Sequence, residues 1–356
     1  MDVSSMDFLM KLLETPSPSG FEKVAQDVWR EYVKPITHII GGDSMGNVWA
    51  RYEDGAPTGV SLMVAGHCDE IGIMVTHATA EGYLHFDGIG GINPEVYVGA
   101  QVRFVHSGIV GVVGCRPVHL IDEGDGKKKV KAKDLYLDIG AADKEEALNM
   151  APVGCAAVPN VFPVYMGKDN KLLSGRGLDN MLGSFVAAEA LRICRDRSDA
   201  GEKLRSILIG LSSVQEELGF CGAKVAAERI QPHAAVVVDV TFATDTPDEE
   251  DKKVAGDILL GKGPVVSVGP RVSKRLSKIL VEMSIPHQVA ASPGSTGTDA
   301  DAISLTRSGI PTAVLSIPVR YMHTPVETCH LEDVENAAKM VANLAYALAE
   351  DPDLAI

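Results

Sequence analysis

The sequence contains no unbroken run of about 18 apolar residues, so it predicts no membrane-spanning helix. It has six cysteines (Cys68, Cys115, Cys155, Cys194, Cys221 and Cys329), and no two of them form a CxxC pair. Their wide spacing argues against a zinc ribbon or a disulfide framework and fits a reducing compartment, the cytoplasm. Clustered positive charge is lacking as well. The formal net charge is -15, and the one short basic stretch, 127–131, reads as a solvated loop. A nucleic acid is held by grouped Lys and Arg, so no nucleic-acid partner is expected. The opening MDVSSMDFLMKLLE carries acids and no basic leader, so no secretory signal is expected. Its Phe8, Leu9, Leu12 and Leu13 instead recur at helical spacing. There is no internal repeat and no low-complexity tract.

What is present is an ordinary globular composition: 356 residues, 46% hydrophobic and 23% charged, a length that suits two domains. Two textures divide the chain. In 1–75 and again in 167–356, apolar runs of strand length alternate with helical segments. The clearest runs are 60–65, 206–211, 234–238 and 312–317. Short Val/Ile/Leu runs bounded by turns predict strands buried on both faces. Between them, Leu178, Leu182, Phe185, Val186 and Ala190 keep one helical face, as do Val272, Leu276, Ile279 and Leu280. A last helix is expected over about 332–349. This alternation predicts a layered α/β domain with a largely parallel or mixed sheet. In 76–166 the strands are short, glycines are dense, and only 143–148 reads as a short helix. That middle segment is expected to be a small β-rich domain inserted into the α/β domain. The acidic stretch 245–251 reads as an exposed loop.

Chemistry collects at the strand ends. VSLMVAGHCDE delivers His67, SILIGLSSVQEE delivers Glu216 and Glu217, AAVVVDV delivers Asp239, and TAVLSIPVRYMH delivers His323. Asp179, in GRGLDNM, stands where a helix begins. Singly, each has an ordinary structural explanation; an Asp at a helix start, for example, is usually an N-cap. In an open α/β sheet, however, ligand sites lie beyond the carboxyl ends of the strands, so these side chains are expected to meet in one crevice. Imidazoles and carboxylates without thiolates favour Zn²⁺ or a similar first-row ion over Ca²⁺ or Mg²⁺. Five ligands exceed what one three-ligand catalytic zinc needs, but suffice for two metals if a carboxylate bridges them. Two metals about 3.5–4 Å apart can hold a hydroxide between them and polarise a carbonyl. A neighbouring carboxylate that is not a ligand can then serve as general base. Glu216 and Glu217 are both candidates for that role on these grounds. Cys68, beside His67, should point the opposite way on an extended segment and pack internally.

At these residues the sequence resembles the cytoplasmic metallo-aminopeptidases that assemble as tetrahedral, TET-type particles of twelve subunits. That family's members are labelled glutamyl, leucyl, lysyl or deblocking aminopeptidases, and sometimes, misleadingly, endoglucanase or cellulase M. AGHCDEIG resembles its first metal motif, GLDN its bridging-aspartate motif and VQEELG its base-plus-ligand motif. VVVDVT and YMHTP resemble the later ligand motifs, and STGTDADAI its Gly-Thr-Asp loop beside the cleft. IGGINPEVYVGAQV and LYLDIGAADKEEA, in the middle segment, match family patterns as well.

The resemblance implies a zinc-exopeptidase-like three-layer α/β/α catalytic domain, built from 1–75 and 167–356. The insert 76–166 would be a PDZ-like dimerisation domain. It places one metal on His67 and Asp239 and the other on Glu217 and His323, with Asp179 bridging. Glu216 becomes the general base, and Asp69 supports His67. The metals would be two zinc ions, with cobalt or manganese as alternatives, the substrates short peptides, and the assembly a homododecamer built from dimers. Two positions depart from the family pattern. Met181 stands where many relatives carry Arg, and Ser295-Thr296-Gly297 precedes Thr298-Asp299 where a Gly-Gly-Thr-Asp form is commoner. Both are expected to alter the substrate cleft. The same metal chemistry could also serve an N-acyl amino acid deacylase or a carboxypeptidase. A glycosidase fits less well, because adjacent side chains such as Glu216 and Glu217 diverge on extended backbone and do not flank one bond. A non-catalytic interaction protein would have no use for a complete ligand set with a base beside it.

Overall fold

In the computed structural model, residues 1–55, 59–117, 119, 129–248 and 250–350 are described. Two helices, α1 (Val3–Glu14) and α2 (Lys23–Val33), precede the strands β1 (Ile39–Gly42), β2 (Val48–Tyr52) and β3 (Ser61–His67). A run of short strands follows: β4 (Gly72–Ala78), β5 (Leu84–Ile89), β6 (Gln101–Phe104), β7 (Val110–Cys115) and β8 (Leu135–Asp138). Helix α3 (Lys144–Met150) and β9 (Ala156–Pro159) complete that run. Next come β10 (Val164–Met166), β11 (Leu172–Gly175), the long α4 (Leu178–Asp199), β12 (Ile207–Ser213), α5 (Cys221–Ile230) and β13 (Ala234–Phe242). The chain ends with α6 (Glu250–Ala255), β14 (Val265–Val268), α7 (Lys274–Val281), β15 (Gln288–Ala291), α8 (Ala300–Ile303), β16 (Thr312–Arg320), β17 (Glu327–His330) and α9 (Leu331–Glu350).

The large sheet runs β1-β2-β12-β3-β13-β16-β17-β11-β10, with β14 and β15 attached beside β16. Its centre, β12-β3-β13-β16, is parallel, whereas the pairs β2-β12 and β16-β17 at its flanks are antiparallel. The central strands read as unbroken apolar runs because both faces are covered. Alternate residues of β3 make this concrete. Leu62 and Val64 join a core with α1, α2, α4 and α9, while Met63 and Ala65 join one with α5 and α8. The result is three layers, helices on sheet on helices. The predicted face of α1 is buried through Phe8, Leu9, Leu12 and Leu13, and Asp2 caps the helix by accepting the Ser5 N–H at 2.8 Å.

The middle strands close into a separate barrel, β4-β5-β8-β7-β6-β9, around its own core of Ile73, Phe86, Val102, Phe104, Leu135 and Leu137. The helix expected at 143–148 is α3, capped by Asp143. No described helix is long and apolar enough to cross a membrane. Of the basic stretch 127–131, residues 127 and 128 lie outside the described residues, and Lys129 and Lys131 are exposed.

The acidic stretch 245–251 is not an exposed loop throughout. Asp245 is only partly exposed and accepts two hydrogen bonds from Arg320, at 2.7 Å and 2.6 Å, and α6 begins at Glu250. A forked pair of this kind matches a guanidinium to both carboxylate oxygens, which anchors an acid that composition alone would assign to solvent.

One packing detail positions the site. Helix α4 lies so close over β3 that a Cβ on Gly66 would sit 2.1 Å from the Gly183 carbonyl carbon. A Cβ on Gly183 would in turn lie 2.2 Å from the Val238 carbonyl oxygen. Both contacts are with backbone, which cannot rotate away. Two hydrogen atoms in place of two methyl groups therefore set the distance between the start of α4 and the ends of β3 and β13. Trp29 reinforces the contact by donating from its indole nitrogen to the Ser184 carbonyl at 2.9 Å.

Candidate metal centre

The parallel strands deliver His67, Asp239 and, just beyond their ends, Glu216, Glu217 and His323 to one edge of the sheet. Asp179 arrives from the first turn of α4, where Asp179 and Asn180 depart from helical dihedrals and their peptide bond is cis. All six side chains line one cavity of about 510 Å³. They fall into two groups. His67, Glu216 and Asp239 each offer a ligand atom within 4.8 Å of the others, and so do Asp179, Glu217 and His323.

Asp179 joins the groups. Its Oδ1 lies 3.3 Å from His67 Nε2, and its Oδ2 lies 3.1 Å from His323 Nε2. The neighbouring glutamates diverge: Glu217 Oε1 stands 3.3 Å from His323 Nε2, while Glu216 Oε2 stands 3.7 Å from His67 Nε2. Asp239 Oδ1 is 3.8 Å from the same His67 nitrogen. The other His67 nitrogen, Nδ1, is 2.9 Å from the Asp69 backbone carbonyl. A carbonyl only accepts, so Nδ1 carries the proton in the neutral ring and Nε2 turns its lone pair to the carboxylates.

Asp69 is fully buried, and its carboxylate does more than face His67, from which it stands 3.5 Å. It accepts the Glu216 N–H at 3.0 Å, the Glu217 N–H at 3.2 Å and the Ser19 hydroxyl at 2.6 Å. One carboxylate thus holds the turn that presents both glutamates. Burial alone would raise its pKa, but hydrogen bonding and the charge of His67, with the Ser19 bond, hold it below the usual value.

Two further supporting residues, Glu327 and Glu22, carried no signal in the sequence. Glu327, on β17, accepts the Asp179 N–H at 3.1 Å and the His323 N–H at 2.9 Å, which keys one carboxylate to both ends of a ligand group. Glu22 accepts the Gly20 N–H at 2.6 Å and the Gln215 N–H at 3.2 Å. Asp299 accepts the Ser213 hydroxyl at 2.6 Å behind the cluster. Met181 is buried in the main core away from the cavity, whereas Thr296, Gly297 and Thr298 line it. Cys68 also packs in that core.

The electrostatics call for cations. Burial, against the pull of His67, pushes the Glu216 carboxyl up to about 10, with Asp239, Asp299 and Glu217 adding to the rise. Burial raises Glu217 and Asp239 too. His323 is driven up to about 11 by hydrogen bonds to Asp179 and Glu217. No lysine or arginine is among the described residues lining the cavity. Four carboxylates, three of them buried, and two imidazoles without a thiolate are a donor set that suits divalent cations.

Glu22 provides a pH-dependent stability test outside the ligand groups. Burial, followed by the charge of Asp69, raises its pKa from 4.5 to about 7. A carboxyl with a raised folded pKa contributes most stability below its unfolded pKa, and that contribution is lost as pH rises through about 7. Between pH 4.5 and pH 8, urea unfolding should therefore shift by up to about 3 kcal/mol in favour of Glu22→Gln over wild type. A difference that stays flat across this range would show that Glu22 is not held this way.

The profile of the M42 glutamyl aminopeptidase family matches residues 46–340. The chain is 36% identical over 353 residues to a lysyl aminopeptidase of Pyrococcus furiosus, covering 97% of this chain and 96% of that protein. Its fold superposes on the TET aminopeptidase of the marine sediment archaeon Thaumarchaeota archaeon SCGC AB-539-E09 with a TM-score of 0.88, 32% identity and 97% of each chain covered. Pyrococcus horikoshii TET1 peptidase, described as able to assemble into a tetrahedron or a large octahedral shell, matches with a TM-score of 0.80 and 31% identity over 96% of this chain and 99% of that one.

Proposed function

Since the chain belongs to the M42 glutamyl aminopeptidase family and is a metallo-aminopeptidase, we propose that it removes single residues from the N-termini of short peptides with two metal ions per subunit. The observation that carries this reading is the double engagement of Asp179, one oxygen toward each imidazole. One ion would be held by His67, Asp239 and Asp179, the other by Glu217, His323 and Asp179. Zinc suits these ligands, and cobalt or manganese could take its place. Bound there, the ions supply Lewis acidity and a lowered pKa for water.

The protein's own groups do the rest. Glu216 takes a proton from the attacking water as the new C–O bond forms. It returns that proton to the departing amine as the C–N bond breaks. Asp69 holds the Glu216 and Glu217 backbone in register for this transfer. The carboxylates of the cluster pair with the peptide's free amine. The decisive comparison is an aminoacyl anilide against its N-acetylated form, after metal stripping and reloading with Zn²⁺, Co²⁺ or Mn²⁺. Acetylation should lower kcat/KM by about 100-fold or more, because a site built for an amine rejects a ligand that lacks it. Equal release of aniline from both would show an amide hydrolase that needs no free amine, and release of acetate from the acetylated form would instead show an N-acyl amino acid deacylase.

The domain boundaries belong to the same proposal: 1–75 and 167–356 form the catalytic domain, and 76–166 an insert through which dimers form on the way to a homododecamer. The exposed Val98, Val110 and Val112 of the barrel support an apolar contact there. Light scattering near twelve times 37.8 kDa is the expected result, and a clean monomer would contradict it. The six free cysteines, three of them buried, suit a cytoplasmic location.

A further inference from the structure

Beyond the ligand cluster, the 510 Å³ cavity has walls of its own. They come from Phe220 after β12, Thr241 and Phe242 at the end of β13, Thr296 and Thr298 in the loop before α8, and Met322 after β16. Two aromatic rings, a thioether and three hydroxyl-bearing threonines make a surface with no formal charge. Phe242 is 61% exposed, so its ring is open to a side chain entering the cavity.

Two charged groups beside these walls, Asp301 and Arg320, are already committed. Asp301 accepts the Thr296 and Gly297 backbone N–H groups and pairs with Arg271 at 3.4 Å. Arg320, two residues before Met322, is engaged by both oxygens of Asp245. No lysine or arginine is among the described residues lining this space, so a glutamate or aspartate side chain entering it would lose water without meeting a cation of these walls. A lysine would find no carboxylate outside those that hold the metals. Either charge would be desolvated without a partner, a penalty an apolar side chain does not meet. Leucine, methionine or phenylalanine would instead gain contact with Phe220, Phe242 and Met322.

We propose that these walls form the subsite for the substrate's first residue, and that the enzyme selects uncharged, apolar N-terminal residues rather than acidic or basic ones. This rests on the aminopeptidase reading above and narrows it. It separates the chain from the glutamyl preference in the family's name and from the lysyl label of its Pyrococcus furiosus relative.

The test is a panel of Leu, Met, Phe, Glu, Asp, Lys and Arg anilides on the full-length, metal-loaded enzyme, wild type and Phe242→Lys. Wild type should favour Leu or Met over Glu and Lys by roughly tenfold or more in kcat/KM, the scale on which a pocket discriminates by apolar contact. Phe242→Lys, at an exposed position that tolerates lysine, should shrink the Leu-to-Glu ratio by about tenfold while both remain substrates. A wild-type preference for Glu or Lys overturns the inference and leaves the aminopeptidase reading standing. A variant that cleaves both with an unchanged ratio removes Phe242 from the subsite and overturns the assignment of these walls. Cleavage of none of the panel under any metal takes down the aminopeptidase reading and this inference with it.

Discussion

Glu216→Gln lowers kcat on a free-amine aminoacyl anilide by about 10²–10⁴-fold, the range associated with loss of a general base, while the chain still binds two divalent ions. The substitution is nearly isosteric and takes away only the ability to accept and return a proton. Glu216 is poised for that task by location: it shares the cavity with the ligands, and its backbone N–H is fixed by Asp69. Without cations, burial and its acidic neighbours push this carboxyl up to about 10, where it would be protonated and useless as a base at neutral pH. Positive charge in the two ligand groups reverses that, since a nearby cation favours the carboxylate. Base function and metal loading are therefore linked, and kcat and metal content must be measured on the same sample. Loss of metal together with activity would make Glu216 a ligand instead. Full activity in the variant would move the proton transfer elsewhere.

Asp179→Asn produces the second large effect, and it falls on metal content. Asn keeps the shape and one acceptor oxygen but loses the negative charge, and it replaces the oxygen facing one of the two imidazoles with an NH₂ donor. Even residues that only support a metal ligand weaken binding by about 10–100-fold when replaced, so a shared ligand should cost at least ~100-fold. The expected result is fewer than two ions per chain at micromolar metal, measured by elemental analysis. Activity falls with it, and added zinc no longer raises the melting temperature, because that rise follows from binding to the folded state. Retention of two ions at wild-type affinity would mean that Asp179 bridges nothing.

The parts of this centre that could be read from the sequence follow a simple rule. Residues at the carboxyl ends of buried parallel strands are gathered by the sheet itself, so His67, Asp239 and His323 could be placed together without any three-dimensional information. Asp179 was legible as an acid at the start of a helix, and only the family resemblance set it between the two imidazole-bearing groups. Glu327 and Glu22 were not legible. Neither belongs to a motif, and the value of each comes from backbone N–H groups that folding brings near, Gln215 being 193 positions from Glu22. Asp245 failed for a related reason: its partner Arg320 is 75 positions away, and an acid-rich stretch looks solvated until that partner is found. The sheet's parallel centre was foreseen from its apolar runs. The short β14 and β15 were not, because four-residue strands beside a helix leave too little periodicity to detect.

The contact between Gly66 and Gly183 also bears on how such an enzyme can change over generations. The start of α4, which carries Asp179, is positioned by main chain pressed on main chain, with no room for a side chain at Gly66 or Gly183. The surfaces around the first residue of the substrate are side chains on strand ends and loops, some of them open to solvent. Drift can therefore rewrite the enzyme's diet one wall residue at a time while two glycines keep the ions in place. Among descendants of such a fold, preference for the first residue should diversify long before the chemistry does.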